Sequence, residues 1–342
     1  MIPTFDWLEQ LILAEFPQNK AAKHKLLQLF ETYKSPLTGD TQVNANSIAG
    51  GYLLTRGRTI IKLLQFIINR HSVFFRDVQS INDFGGGPGS FLWSLMLSST
   101  SLDSEDQSLI QNSLKSYTNI EQSEAFLTVF KKIVECLQNE NIMPFKAEYL
   151  KQDYLTNTTQ LPTSELAVFS YTLNENANFP KLLARLAATT QKILIVEPGT
   201  PHGFQTVLQA RSTLLKNGFL IYAPCTTAAS CPLANKSNDW CHFVFRSERS
   251  KLQKHLKNAK LGYEDEKYTY LLMYKNTDPA KENLEPLSGQ RIISRVTTAK
   301  HAVSFQVCAA SEAQIIIPKK LDPSSYKAAK KMQRGDLYDS ID

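Results

Sequence analysis

Residues 81–93 read INDFGGGPGSFLW: an apolar run closes at Asp83, glycine fills positions 85, 86, 87 and 89, and a helical pattern begins near Ser90. Glycines packed this closely permit a tight turn and let a bound group approach the backbone, a geometry that belongs between a strand and a helix. The turn therefore asks for an α/β setting, and the chain around it supplies one. VQSINDF, SYTNIE at 116–121, FKAEYL at 145–150, ELAVFSYTL at 165–173, KILIVEP at 192–198 and GFLIYAP at 218–224 read as strands. Helical stretches at 90–99, 121–138, 175–189 and 203–216 alternate with them, the pattern of a mostly parallel sheet covered on both faces.

The flanks differ in texture. Residues 5–16, 20–33 and 45–71 read as helices, the last with Ile48, Tyr52, Leu53, Ile60, Leu63, Leu64 and Ile67 at helical spacing. Tyr52, Arg56 and Arg58 stand close enough to the first strand to overhang a site formed there. After another strand at 267–275, the runs RIISRVTT, AVSFQVCA and AQIIIPK and a helix near 323–333 suggest a small β-rich appendage. The expected organisation is a helical region at 1–75, an α/β domain at 76–280 and the appendage at 281–342.

With 342 residues the chain can bury a substantial core. No run approaches the about 18 uncharged apolar residues of a membrane span. The first helix carries Asp6, Glu9 and Glu15 and lacks the marks of a signal or Arg-rich presequence, so a cytoplasmic, monomeric protein with reduced cysteines is expected. The net charge of +6 is uneven: RSERSKLQKHLKNAK at 246–260 holds six Lys or Arg against one Glu, and Lys319, Lys320, Lys327, Lys330, Lys331 and Arg334 follow near the end. Such stripes are either solvated faces or footprints for a phosphate backbone.

The order G-G-G-P-G departs from the dinucleotide pattern G-x-G-x-x-G and resembles the first motif of class I S-adenosylmethionine-dependent methyltransferases. That resemblance implies a turn, Gly85, Gly86, Gly87 and Gly89 with Asp83 in support, passing under the amino-acid part of the cofactor. It also implies an acid at the end of the second strand for the ribose hydroxyls. Glu121 ends SYTNIE, 36 positions beyond Gly85, the excess being accounted for by the polar insertion at 98–108. Its two oxygens suit paired hydroxyls; its ordinary alternative is an acid at a helix N-terminus. Asp153, after the third strand, is a candidate for the adenine edge. A nicotinamide enzyme fits the pattern less well, because no catalytic Tyr-Lys or His-Asp pair follows.

YAPCTTAASCPLANKSNDWCHF, 222–243, gathers Cys225, Cys231 and Cys241 in a stretch without hydrophobic periodicity. Too little apolar sequence surrounds them to bury a packed face, so they point to a metal with a fourth ligand from elsewhere.

From about Tyr52 to Asp336 the chain resembles the methyltransferase-like family of small ribosomal subunit assembly factors, of mitochondrial and bacterial type. The resemblance rests on Tyr52, Arg56 and Thr59, the glycine turn, Glu197-Pro198-Gly199-Thr200, Arg211, the C-P-L and W-C-H-F words of the cysteine loop, the Arg246 segment, Tyr326-Lys-Ala-Ala and Gly335-Asp336. It implies a Rossmann-like methyltransferase domain, a role in small-subunit maturation or translation, and a [4Fe-4S] cluster on Cys225, Cys231, Cys241 and Cys308. Four thiolates can equally hold zinc. Either metal would clamp the appendage to the sheet domain; Cys136 belongs to a helical core face. The chain has Thr226-Thr227 where the family usually has Pro-His, Arg334 where it has Trp, and Arg58 where it often has Pro.

Two functions remain in view. One is an assembly or translation factor that binds S-adenosylmethionine, the metal and ribosomal RNA, with ribosomal proteins as further candidate partners. The other is an active RNA or protein methyltransferase, with a zinc-stapled metabolic methyltransferase third. If methyl transfer occurs, Tyr171 and Glu175, after the fourth strand, are the candidates for substrate contact, against ordinary roles in sheet packing and helix capping. The RNA is expected on Arg246, Arg249, Lys251, Lys254 and Lys257, joined by Arg56 and Arg58.

Overall fold

The computed structural model describes residues 3–32, 45–97, 104–154, 161–175, 178–275, 284–285, 287–308 and 312–339. The chain divides into two compact units, Met1–Asn178 with Phe245–Glu266, and Phe179–Val244 with Lys267–Asp342.

The first unit opens with α1 (Phe5–Glu15) and α2 (Lys20–Thr32). Thr4 caps α1 by accepting from Trp7 N at 3.2 Å, and Leu8 and Ile12, one turn apart, are its buried face. The expected long helix at 45–71 is interrupted. α3 (Asn46–Tyr52) passes into a π-helical turn at Leu53–Gly57 before α4 (Arg58–Arg70) and the short α5 (Ser72–Phe75). Within that turn Thr55 Oγ1 donates to Gly51 O at 2.6 Å, a back-bond that competes with the regular ladder, and Gln253 Nε2 donates to Thr55 O at 2.9 Å.

β1 (Ser80–Phe84) leads through the glycine turn to α6 (Ser90–Met96). α7 (Ser104–Ser113), a helix not expected from the polar insertion, precedes β2 (Ser116–Glu121), α8 (Glu124–Asn139), β3 (Lys146–Lys151) and β4 (Leu166–Ser170). These strands form a parallel sheet in the order β3-β2-β1-β4. β1 and β4 are buried along nearly their whole length, which is why they read as continuous apolar runs. Phe84 stacks on Phe169 at 4.9 Å between centroids.

In the second unit α9 (Phe179–Leu186), β5 (Lys192–Pro198), α10 (Pro201–Lys216) and β6 (Leu220–Ala223) precede the cysteine loop. Thr200 accepts from Gly203 N at 3.1 Å and Pro201 occupies the first helical turn, the N-terminal signature that Thr200-Pro201 carries. The loop ends in β7 (Phe243–Glu248), followed by α11 (Lys251–Leu256) and β8 (Tyr263–Tyr274). The unit boundary crosses both strands. β7 pairs with β8, so the head of the basic segment, residues 246–248, lies in a sheet pair, while Lys251–Leu256 form α11. β8 also runs antiparallel to β5 and β6.

A second, antiparallel sheet follows: β9 (Gln290–Ile292), β10 (Thr297–Thr298), β11 (Ala302–Cys308) and β12 (Glu312–Pro318), then α12 (Pro323–Ala329) and β13 (Leu337–Tyr338). Its core is Ile292, Val303, Phe305, Val307, Ile317, Tyr326 and Ala329. The alternation of buried Val303, Phe305 and Val307 with half-exposed neighbours is that of a sheet with one covered face. The parallel sheet and its flanking helices form a Rossmann-like α/β fold. Among the described residues no helix is long and apolar enough to cross a membrane.

Candidate functional site

Sheet register brings the first unit's candidate residues to one edge. Phe84 lies opposite Ile120 on one side and Phe169 on the other, so Gly85, Glu121 and Ser170 leave their strands together. Glu121 in turn faces Lys151, and half-buried Asp153 follows two residues later. The strand order reverses direction at β1, where open α/β sheets form a crevice beyond their carboxyl ends.

The turn is built from below. Gly85, Gly87 and Gly89 have φ of 65°, 56° and 88°, values that favour glycine. A side chain on Gly86 would lie 2.5 Å from both Asp83 Oδ2 and Asn119 Oδ1, so the backbone rests directly on those two groups. Asn119 Nδ2 donates to Gly87 O at 3.0 Å. Glu121 accepts from Gly87 N at 2.9 Å through one oxygen and from Ser123 N at 2.8 Å through the other. Both expected roles of Glu121, partner of the turn and acid at the start of α8, thus meet in one carboxylate. Gly87 is itself buried, and a Cβ there would meet Phe126 Cδ2 at 4.0 Å without a clash.

Burial dominates the electrostatics. It raises the Asp83 carboxyl to about 7; the Tyr117 hydroxyl, donating at 2.5 Å, opposes the rise and the nearby Glu121 charge adds to it. Burial also raises Glu121, against the N–H groups of Ser123, Gly87 and Gln122. Asp83 Oδ1 and Asn119 Oδ1 are buried without a hydrogen-bond partner among the described residues.

Tyr171 follows β4 with φ of 61°, a conformation that costs on the order of 1 kcal/mol for a residue with a side chain. Its hydroxyl donates to Glu266 Oε1 at 2.7 Å, while Arg56 grips the same carboxylate at 2.5 and 2.8 Å and lies 4.8 Å from the Tyr171 ring centroid. Burial works against the Arg56 charge, but Glu266 and Tyr171 outweigh it and hold the guanidinium firmly protonated. The neighbouring Thr172 is hydrogen-bonded to Tyr154, and a side chain on Gly85 would meet Thr172 Oγ1 at 2.8 Å. Glu175 closes a short 3-10 turn at Leu173–Glu175, and its side chain lies outside the described residues. Sequence reading missed Tyr117, Asn119, Tyr154 and Glu266. Polar residues within SYTNIE were the available signal for the first two; nothing local marked Glu266, which is 210 positions from Arg56.

The cysteine loop corrects the metal expectation. Cys231, Cys241 and Cys308 pack with Trp240 and Leu208 against the buried Phe204, Leu233 and Ile293. Burial raises all three thiols, Cys308 to about 12, and neighbouring thiols add to the rise. Among the described residues no group of three or more His, Cys, Asp or Glu side chains is disposed to hold a metal ion. Neither the [4Fe-4S] cluster nor zinc on Cys225, Cys231, Cys241 and Cys308 therefore stands. These cysteines are half-buried thiols outside any disulfide, and desolvation keeps Cys231, Cys241 and Cys308 in the protonated form that packs as a small apolar group.

Arginines do the fastening instead. Arg211 donates to Thr227 O and Ala229 O at 2.9 and 2.7 Å. Arg291, buried on β9, donates to Pro224 O at 3.0 and 2.7 Å and to Gly335 O at 2.7 Å. Arg334, at the position where the family usually has Trp, donates to Trp240 O at 2.7 Å.

Three of the six cations of the 246–260 segment are paired within the first unit. Arg246 pairs with Asp265 through two contacts of 2.7 Å, while Arg249 and Lys257 share Glu264. Arg58 pairs with Glu9 and covers the Phe5 ring at 4.4 Å, and Arg56 is taken by Glu266.

Among solved structures the chain is similar to magnesium protoporphyrin IX methyltransferase from Synechocystis PCC 6803 with bound SAH. Identity is 11%, coverage is 78% of this chain and 100% of that one, and the TM-score is 0.40. It is also similar to precorrin-6y C5,15-methyltransferase from Geobacter metallireducens GS-15, at 10% identity, coverage of 63% and 86%, and a TM-score of 0.39. No curated protein sequence matches. A family model described as "Mitochondrial small ribosomal subunit Rsm22" matches residues 60–339. That description overturns the expectation of a cytoplasmic protein, which rested on the composition of the first helix and on an odd cysteine count without framework spacing. With most of its length inside this match, the chain belongs to the Rsm22 family.

Proposed function

We propose that the protein is an S-adenosylmethionine-dependent methyltransferase acting on RNA or protein of the small ribosomal subunit. The observation that carries the reading is the glycine turn after β1, with Gly85, Gly87 and Gly89 at positive φ and the Gly87 N–H tied to Glu121 at the end of β2. The residues fit the cofactor: Glu121 keeps lone pairs for a vicinal diol beyond its two backbone bonds, and the turn offers close approach to an amino-acid moiety. Gly85, Gly86, Gly87 and Gly89 would pass beneath that moiety, Asp83 would support them, and Asp153 would reach the adenine side. When bound, the cofactor supplies the electrophilic methyl group. Tyr171, fixed by Arg56 and Glu266, orients an acceptor at the carboxyl end of β4, and Glu175 is its companion candidate. The family description supports the small subunit as the setting, with ribosomal RNA as the acceptor or its docking partner.

The test pairs binding with transfer. Calorimetric titration of S-adenosylmethionine should show affinity falling at least tenfold in Glu121→Ala, and with the parent protein present labelled methyl should pass from S-adenosylmethionine to immature small subunits. Equal affinity in the two proteins would remove Glu121 from the site. Binding without transfer to RNA or protein would leave a cofactor-dependent binding factor.

A further inference from the structure

The two basic stretches of the sequence meet different fates in the fold. In the first, carboxylates of β8 absorb Arg246, Arg249 and Lys257. In the second, around the β11–β12 pair and α12, Lys300, Lys319, Lys320, Lys327, Lys330 and Lys331 are exposed, and none has a carboxylate partner among the described residues.

The fold gathers them. Lys319 N donates to His301 O at 2.8 Å, which sets the turn carrying Lys300 beside the end of β12. Tyr326 on α12 donates to Ala299 O at 3.3 Å. The Lys319 and Lys330 ammonium groups lie 5.9 and 5.7 Å from the Tyr326 ring centroid, so strand end and helix present their charges around one aromatic ring. Lys327 lies on α12, and Lys330 and Lys331 follow in the turn that closes it. The nearby acid, Asp322, is occupied as the α12 cap, accepting from Ser325 N at 2.9 Å and Ser324 Oγ at 2.8 Å.

We infer that this lysine cluster is the surface that docks the phosphate backbone of RNA, in place of the 246–257 segment. The inference rests on the small-subunit reading above. Six unneutralised cations fit a polyanion, and lysine ammonium groups act as point charges that position a backbone without reading its bases. The surface therefore recognises RNA by charge and shape. Leu321, 83% exposed, is the large apolar side chain beside Lys320. One leucine among these cations lacks the apolar face that lies in a membrane interface.

The experiment measures binding of the full chain to a small-subunit ribosomal RNA helix between 50 and 200 mM salt. Two variants are compared with the parent: Lys320→Gln/Lys327→Gln/Lys331→Gln, which spares the lysines against Tyr326, and Arg246→Gln/Arg249→Gln/Lys257→Gln, which removes the cations already paired with carboxylates. The first should weaken binding at least tenfold at low salt and reduce the log–log salt slope by about two to three. The second should change binding less than threefold. Anionic vesicles form the competing arm, and circular dichroism checks that both variants fold. Unchanged affinity and slope in the first variant, or vesicles bound as tightly as RNA, would overturn the inference. Titration of S-adenosylmethionine in the same variant separates the two readings. Cofactor binding without RNA loss sinks the lysine surface alone, whereas RNA loss without any cofactor binding in the parent sinks the methyltransferase reading.

Discussion

The glycine turn and the cysteine loop are the two most distinctive stretches of this sequence, and they are built on opposite plans. At the turn, every candidate residue leaves a strand whose register with its neighbours is fixed, so Gly85, Glu121 and Ser170 arrive at one edge without further help. The cysteine loop has no such frame. Its carbonyls are gripped by Arg211, Arg291 and Arg334, and its thiols lie among Phe204, Leu233 and Ile293. A spacing of ligand-type residues defines a site only when something holds their backbones in a fixed relation. Parallel strands supply that relation, and an irregular loop takes it from whatever packs against it.

The sharpest way to break the comparison is to remove the loop's fastening. Arg291→Ala leaves Pro224 O and Gly335 O buried without their charged donor, and a loss of about 3–5 kcal/mol is expected. Denaturant unfolding and limited proteolysis of the segment after β8 should both report it. A stability within 1 kcal/mol of the parent would show that the arginine grip is dispensable.

A comparable effect at the turn depends on pH. Asp83 has a folded-state value near 7 against an ordinary value near 4, so between those limits the folded state binds the extra proton. Its contribution is fully present below about pH 4, falls as pH rises towards 7, and is gone above that, amounting to roughly 4 kcal/mol at most. Asp83→Asn should flatten the fall in stability between pH 4 and 7, read as the urea midpoint at each pH. An unaltered profile would assign the titration to another group, with Glu121, raised by the same burial, the first to test.

The smallest expected effect sharpens the difference between thiols and arginines. Cys308→Ser replaces one half-buried thiol in a packed cluster and should cost about 1 kcal/mol, with the C-terminal strands as resistant to protease as before. If it loosened those strands as much as Arg291→Ala, the thiols would be doing more than packing.

Much of the strand pattern was legible locally. SYTNIE and KILIVEP mark β2 and β5 to the residue, because strands buried on both faces are short apolar or β-branched runs bounded by polar turns. The break in the helix at 45–71 was not legible, since helical spacing continues through Leu53–Gly57 while Gln253, distant in sequence, takes up Thr55 O. β7 was hidden because FVFRSE begins in the cysteine loop and runs into a basic stretch, and only pairing with β8 makes it a strand.

The sequence by itself determined most strands of the parallel sheet and the helices between them, where the backbone must turn without side chains, and that an acid would stand at the end of β2. Those properties depend on near neighbours: the period of apolar residues, the steric freedom of glycine, the cap that Thr or Ser gives a helix. Tertiary structure alone decided which charges survive. Arg56 meets Glu266 and Arg246 meets Asp265, while Lys319 and Lys330 meet only the face of Tyr326. Whether a cation is cancelled depends on a carboxylate within a few ångströms, and that distance is fixed by chain topology rather than by spacing along the chain.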